Sequence, residues 1–155
     1  MHEKINGGES RIKLSSRNGD FIEKIARDHH VSPRQAFVQV IKAGLLVAST
    51  DENFKMYHED KKGKRKPFNL QKRMLDFAFG PNYQAYSISM PNELKEELIK
   101  IAVKYHTGIK GALNTVLSTG QEIQRITSSP DEAIIVVRDG IEQKLTPLFS
   151  NKNTQ

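Results

Sequence analysis

Two short stretches carry hydrogen-bond donors at regular spacing. Arg11-Ile12-Lys13-Leu14-Ser15 alternates a cation or hydroxyl with an apolar residue, and Tyr86-Ser87-Ile88-Ser89-Met90 alternates in the same way. A period of two is that of a half-buried strand, so one set of side chains faces outward while the other is covered. Arg or Lys can donate to guanine O6 and N7, and Ser to several base edges; a good bidentate contact is worth roughly 1–3 kcal/mol of base discrimination. Arg11, Lys13, Ser15, Ser87 and Ser89 are therefore candidate base-reading residues; the plainer alternative is ordinary solvent-facing strand. A second concentration of cations runs from Lys61 to Arg73, with seven basic side chains and no acidic one. Lys61, Lys62, Lys64, Arg65 and Lys66 can track phosphates, which makes affinity steeply salt-dependent. A solvated loop and a nuclear-import signal are the alternatives for that run.

Other chemistry finds little support. A zinc site needs several converging ligands, and the His29-His30 pair and His106 have no second His pair or carboxylate at ligand spacing. No metal and no cofactor are expected, and a His near a helix end more often meets the last carbonyls. The chain has no Cys, which excludes a disulfide framework and a thiolate nucleophile or ligand and fits a reducing cytoplasm. A phosphate-cradling Gly loop and an HExxH motif are also missing, so an enzyme is not expected.

The elements that would position the donors follow from hydrophobic spacing. After Pro91-Asn92 the apolar residues recur at helical intervals, at Leu94, Leu98, Ile101, Ala102 and Tyr105. Gly108 interrupts that stripe, and Ile109, Ala112, Leu113, Val116, Leu117, Gly120 and Ile123 form a second one. A strand and two helices leave an open sheet edge and a one-sided apolar face, so a second copy must close both. The chain supplies one. A shift of 76 positions lays Arg11–Gly44 onto Ser87–Gly120 without a gap. It matches Ile12 to Ile88, Leu14 to Met90, Ile22 to Leu98, Ala26 to Ala102, His30 to His106, Val40 to Val116 and Gly44 to Gly120. Such an internal repeat outranks any single-segment reading. In the first copy, Ser32-Pro33-Arg34-Gln35 predicts a helix start, with Ser32 as N-cap and Pro33 first in the helix.

Strand, helix, turn, helix, twice in one chain and with alternating strand residues, resembles the ribbon-helix-helix DNA-binding proteins of the Arc and MetJ type. The resemblance covers about residues 10–48 and 85–123. It implies a mainly α fold with a short antiparallel β-ribbon that enters the DNA major groove. Two ribbon-helix-helix repeats would form a pseudo-dimer, a tandem version like that of some relaxosome accessory proteins of conjugative plasmids. It also implies that amides at the start of each second helix clamp a phosphate. The matching positions are Ser32, Pro33, Arg34 and Gln35, and then Gly108, Ile109, Lys110 and Gly111. Arg34 and Lys110 are equivalent. Pro33 has no amide to donate, so the first clamp depends more on Arg34; a plain capped helix with an exposed base is the alternative.

The remaining segments complete the layout. Residues 1–9 are expected as a flexible arm, 10–50 as the first repeat, 51–85 as a basic connecting segment with a short helix over Phe68–Phe79, and 86–125 as the second repeat. Residues 126–155 are expected as a C-terminal hairpin and tail, because Asp139-Gly140 lies between β-favouring runs. A lone hairpin is marginal in water, so it must pack on the core, pair with another chain or fold onto a partner. Formal net charge is +6, with residues 1–50 and 51–85 each at +3 and the rest neutral. That balance favours an anionic partner.

Taken together, these features lead to the expectation of a sequence-specific, cytoplasmic and nucleoid-associated binder of double-stranded DNA. A repressor, antitoxin, partition or relaxosome role remains open, as does repeat pairing within or between chains. Homo-oligomerisation on DNA and a protein partner at residues 133–149 are further expectations, and no membrane span is expected. The alternative from another class is a protein-interaction module.

Overall fold

A computed structural model of the chain describes residues 8–70 and 86–149. In order, the elements are β1 (Glu9–Leu14), α1 (Ser16–His29), α2 (Pro33–Ala48), β2 (Phe54–Glu59), β3 (Arg65–Pro67), β4 (Tyr86–Pro91), α3 (Asn92–Lys104), α4 (Ile109–Ser128), β5 (Ala133–Arg138) and β6 (Ile141–Lys144). About half of the described residues are helical, and both sheets are antiparallel. The fold is thus mixed α and β rather than mainly α. Two compact units divide the chain, each drawn from two separated stretches: Met1–Gln39 with Arg73–Asn114, and Val40–Lys72 with Thr115–Gln155.

The first unit holds a two-stranded ribbon of β1 and β4. Its register sets Ser10 opposite Met90, Arg11 opposite Ser89, Ile12 opposite Ile88, Lys13 opposite Ser87 and Leu14 opposite Tyr86. Residues directly opposite share a face. One face therefore carries Ile12, Leu14, Ile88 and Met90, with the last three almost wholly buried. Ser15 caps α1, its Oγ accepting from the Asn18 N–H at 3.2 Å. Gly19 meets the Tyr86 ring so closely that a Cβ there would lie 2.5 Å from Cγ. The two repeats end their first helices at matching positions, to within one residue. His30 and His106 both take left-handed φ values, 57° and 56°. The next amide then reaches back to the same carbonyl in each copy, Val31 to Ala26 at 3.0 Å and Thr107 to Ala102 at 2.9 Å. This is the helix-stop geometry of a left-handed cap, and it gives both histidines a local role. At α2, Ser32 and Gln35 form a reciprocal box of 3.1 and 3.4 Å, with Pro33 first in the helix as the sequence predicts.

The second unit packs the later turns of α2 and α4 with a sheet of order β3-β2-β5-β6. The helices cross at paired glycines. A Cβ on Gly44 would sit 2.8 Å from Val116 Cγ1, and one on Gly120 would sit 2.8 Å from Val40 Cγ1; each would be closer still to the facing carbonyl oxygen. Val47, Ile123, Ile126, Phe54, Met56, Phe68, Ile134 and Val136 form the apolar core of this unit. The expected C-terminal hairpin is present, with Asp139 and Gly140 at φ 52° and 83° supplying its two-residue turn. It is not solitary, because β2 pairs with β5 along all six residues. Ile134 is fully buried there, which removes the apolar run from the surface.

β2 and β3 were not expected. Phe54 and Met56 alternate with Lys55 and Tyr57, but polar flanks leave only two inward apolar residues to reveal the strand. Of the helix expected over Phe68–Phe79, residues 68–70 are not helical and the rest lies outside the described residues, as do Met1–Gly7, the Gly80-Pro81-Asn82 turn and the last six residues. Among the described residues no helix is long and apolar enough to cross a membrane.

The glycine crossing yields a stability prediction. Gly44→Ala and Gly120→Ala should each destabilise the protein by about 2–4 kcal/mol, since the added methyl meets backbone that cannot swing away. Urea unfolding checks this; unchanged midpoints would show that the helices slide apart at no cost.

Candidate nucleic-acid interface

The outer face of the ribbon is built by the same pairing that buries the inner one. Glu9, Arg11 and Lys13 on β1 stand opposite Pro91, Ser89 and Ser87 on β4. Arg11, Lys13 and Ser87 are exposed and Ser89 is half-buried. Arg11 Nη1 donates to Ser89 Oγ across the strands at 3.1 Å. That bond holds the guanidinium over the ribbon, leaving its remaining N–H groups to point elsewhere. Four of the five candidate base-reading residues thus share one surface. The fifth, Ser15, follows β1 and uses its hydroxyl to cap α1.

The ends of the ribbon are tied to the helices, one at the start of α3 and the other midway along α1. Ser10 Oγ donates to Asn92 Oδ1, and the Asn92 amide donates to the Gly8 carbonyl at 3.0 Å. Tyr86 Oη donates to Glu23 Oε2 at 2.7 Å. Burial, followed by the Glu23 carboxylate, pushes the Tyr86 phenol up to about 12.

The two helix starts proposed to hold phosphate differ in detail. At α2 the Gln35 N–H is taken by Ser32 Oγ and Pro33 has none. Arg34 lies exposed beside them, but it forms a two-pronged pair with Glu9, Nη2 to Oε2 at 2.6 Å and Nε to Oε1 at 3.0 Å. An incoming anion would compete with Glu9 for this guanidinium. The hydrogen bond from Arg34 holds the Glu9 carboxyl below its ordinary value of 4.5. At α4 the Gly111 position crowds the Thr107 hydroxyl, so that a Cβ there would strike Oγ1. Lys110 is exposed one residue earlier.

The cation run of residues 61–66 splits by environment. Lys61, Lys62, Lys64 and Lys66 are exposed on the β2–β3 hairpin. Arg65 is committed elsewhere, donating to Glu59 at 2.9 Å and to Glu142 at 2.8 and 3.0 Å. A search for cations alone overlooks the acids that decide which of them are available. Glu9, expected in the flexible arm, is instead the first residue of β1, and it alternates outward with Arg11 and Lys13, a parity that could have placed it on their face. Glu142 could not have been found, because it lies 77 residues from Arg65.

Among the described residues no group of three or more His, Asp or Glu side chains could hold a metal ion. No family model matches the chain, and no curated protein or solved structure matches it significantly.

The Glu9–Arg34 pair has a defined pH signature. A depressed carboxyl contributes stability above its unfolded-state pKa and loses it as pH falls through its folded one. Glu9 should therefore titrate below 4.5 by carbon-detected NMR and return toward that value in Arg34→Ala. Unchanged Glu9 titration in the variant would show that the pair does not persist in solution.

Proposed function

We propose that this chain is a sequence-specific double-stranded DNA-binding protein whose β1–β4 ribbon reads the major groove. On this reading it is a tandem ribbon-helix-helix protein with both repeats supplied by one chain. The observation that carries it is the ribbon register. Ile12 pairs with Ile88, which lies 76 positions later, so the pair maps onto itself under the repeat. Arg11–Ser89 maps onto Lys13–Ser87, and Ser10–Met90 onto Leu14–Tyr86. The Gly44–Val116 and Gly120–Val40 contacts exchange in the same way. Internal two-fold symmetry of this kind supports two equivalent repeats, and the exposed donor face at its centre supports groove reading. A two-stranded ribbon fits the major groove, where Arg and Lys recognise guanine and hydroxyls serve several edges.

In mechanism, Arg11 and Lys13 donate to base edges, Ser87 and Ser89 fill the other half of the ribbon, and the starts of α2 and α4 approach the flanking phosphates through Arg34 and Lys110. Transcriptional repression and plasmid relaxosome or partition work both use such a contact.

Selection of bound duplexes from a random pool tests the proposal. Wild type should enrich a defined motif, and Arg11→Ala or Lys13→Ala should relax preference at particular positions by about 1–3 kcal/mol each. Enrichment of no motif by wild type, or identical motifs from wild type and both variants, would overturn the reading.

A further inference from the structure

The β2–β3 hairpin ends in a turn whose construction sets it apart from an ordinary solvated loop. The Asp60 N–H donates to the Lys64 carbonyl at 2.9 Å, and Gly63 donates back to the Asp60 carbonyl at 2.9 Å. Gly63 closes the loop at φ 84°, a left-handed position that a three-residue hairpin loop requires. Inside the turn, Asp60 Oδ1 accepts from both the Lys62 and Lys64 amides at 2.9 Å. Those two amides, Lys64 first, hold the carboxyl below its ordinary range. The acid nearest the lysines is thus directed at backbone. Lys61, Lys62 and Lys64 are exposed, and among the described residues none is paired with a carboxylate. Arg65 is the exception in the run, tied to Glu59 and Glu142. At its base the hairpin is anchored by the Phe68 amide on the Met56 carbonyl at 2.8 Å, with both side chains in the core.

From this arrangement we infer that the Lys61-Lys62-Gly63-Lys64 tip is a second nucleic-acid contact, gripping the phosphates of duplex DNA without reading sequence. The inference rests on the DNA-binding reading above and adds to it a separate site with different chemistry. Three ammonium groups on a turn pinned by four hydrogen bonds lose little backbone freedom on binding, which favours affinity. Lys acts as a point charge toward phosphate and carries no base information in this role. The tip lacks any apolar side chain that could enter a bilayer interface, which sets a phosphate backbone above a lipid surface as partner.

The test uses the full chain and a random-sequence 30-base-pair duplex, with affinity followed from 50 to 200 mM salt. Three phosphate contacts steepen the logarithmic salt slope by roughly 2.7, a roughly 40-fold extra loss of affinity across that range. Lys61→Ala/Lys62→Ala/Lys64→Ala should abolish that extra loss, with the ribbon still enriching its motif. Removal of equal charge elsewhere, by Lys42→Ala/Lys100→Ala/Lys144→Ala, should change the slope by about 1 or less. Asp60→Ala keeps every lysine but frees the turn, and should weaken binding with little change in slope. Equal slopes for wild type and the tip variant would overturn the inference while leaving motif selection by the ribbon intact. Equal flattening by both triple variants would also overturn it, in favour of net charge alone. Failure of wild type to bind any duplex would overturn both readings together. Vesicles containing phosphatidylserine form the last arm, and tip-dependent binding to them tighter than to the duplex would reassign the tip to membrane.

Discussion

Pairing of Ile12 with Ile88 fixes more of this protein than any other contact. In a two-stranded ribbon each side-chain direction follows from parity, so the position of one pair determines the face of every other. With Ile12 opposite Ile88, the buried side receives Leu14, Ile88 and Met90, and the outer side receives Arg11, Lys13, Ser87 and Ser89. A slip of one residue would turn two cations into the core, where an unpaired charge costs several kcal/mol. Burial of Leu14 and Met90 and exposure of Arg11 and Lys13 are one constraint seen from two sides.

A two-stranded ribbon is too small to be stable alone, and its neighbours show how it is held. The Tyr86 ring lies against Gly19, where no side chain stands in the way, while its hydroxyl reaches Glu23. Each repeat then stops its first helix at a left-handed histidine and restarts within a few residues. Glycine is the usual residue for such a cap. A histidine there in both copies accepts some backbone strain, at φ 57° and 56°.

Much of this was legible because short-range rules and an internal repeat pointed the same way. The stripe through Leu94, Leu98 and Ile101, the Ser32-Pro33 helix start and the Asp139-Gly140 turn each depend on neighbours within about one helical turn. The repeat offset then related Gly44 to Gly120 before any contact was known. What escaped depends on long-range partners. β2 is a strand because β5 pairs along it, and its sequence contains only Phe54 and Met56 as buried apolar residues. The connecting segment therefore read as a basic join with a short helix and no strand. Cation availability was hidden for the same reason: Arg34 and Arg65 look like Lys61 in sequence, but Glu9, Glu59 and Glu142 occupy them in space.

The backbone symmetry of the ribbon is broken by its side chains, and the break has consequences for the proposed function. Under the repeat, Arg11 corresponds to Ser87 and Lys13 to Ser89. A ribbon formed by two identical chains must present the same residues twice and so suits a palindromic site. A ribbon closed within one chain carries no such obligation. On the DNA-binding reading, one half of the groove surface meets two cations and the other meets two hydroxyls. Guanine O6 and N7 would be favoured on the first side, and a more permissive choice on the second. The Arg11–Ser89 bond joins the two halves at 3.1 Å, so the hydroxyl strand also positions a cation of its partner. Covalent linkage of the repeats further means that ribbon assembly does not depend on protein concentration, unlike a dimer formed from separate chains. Divergence of the two strands is then free to encode an asymmetric target.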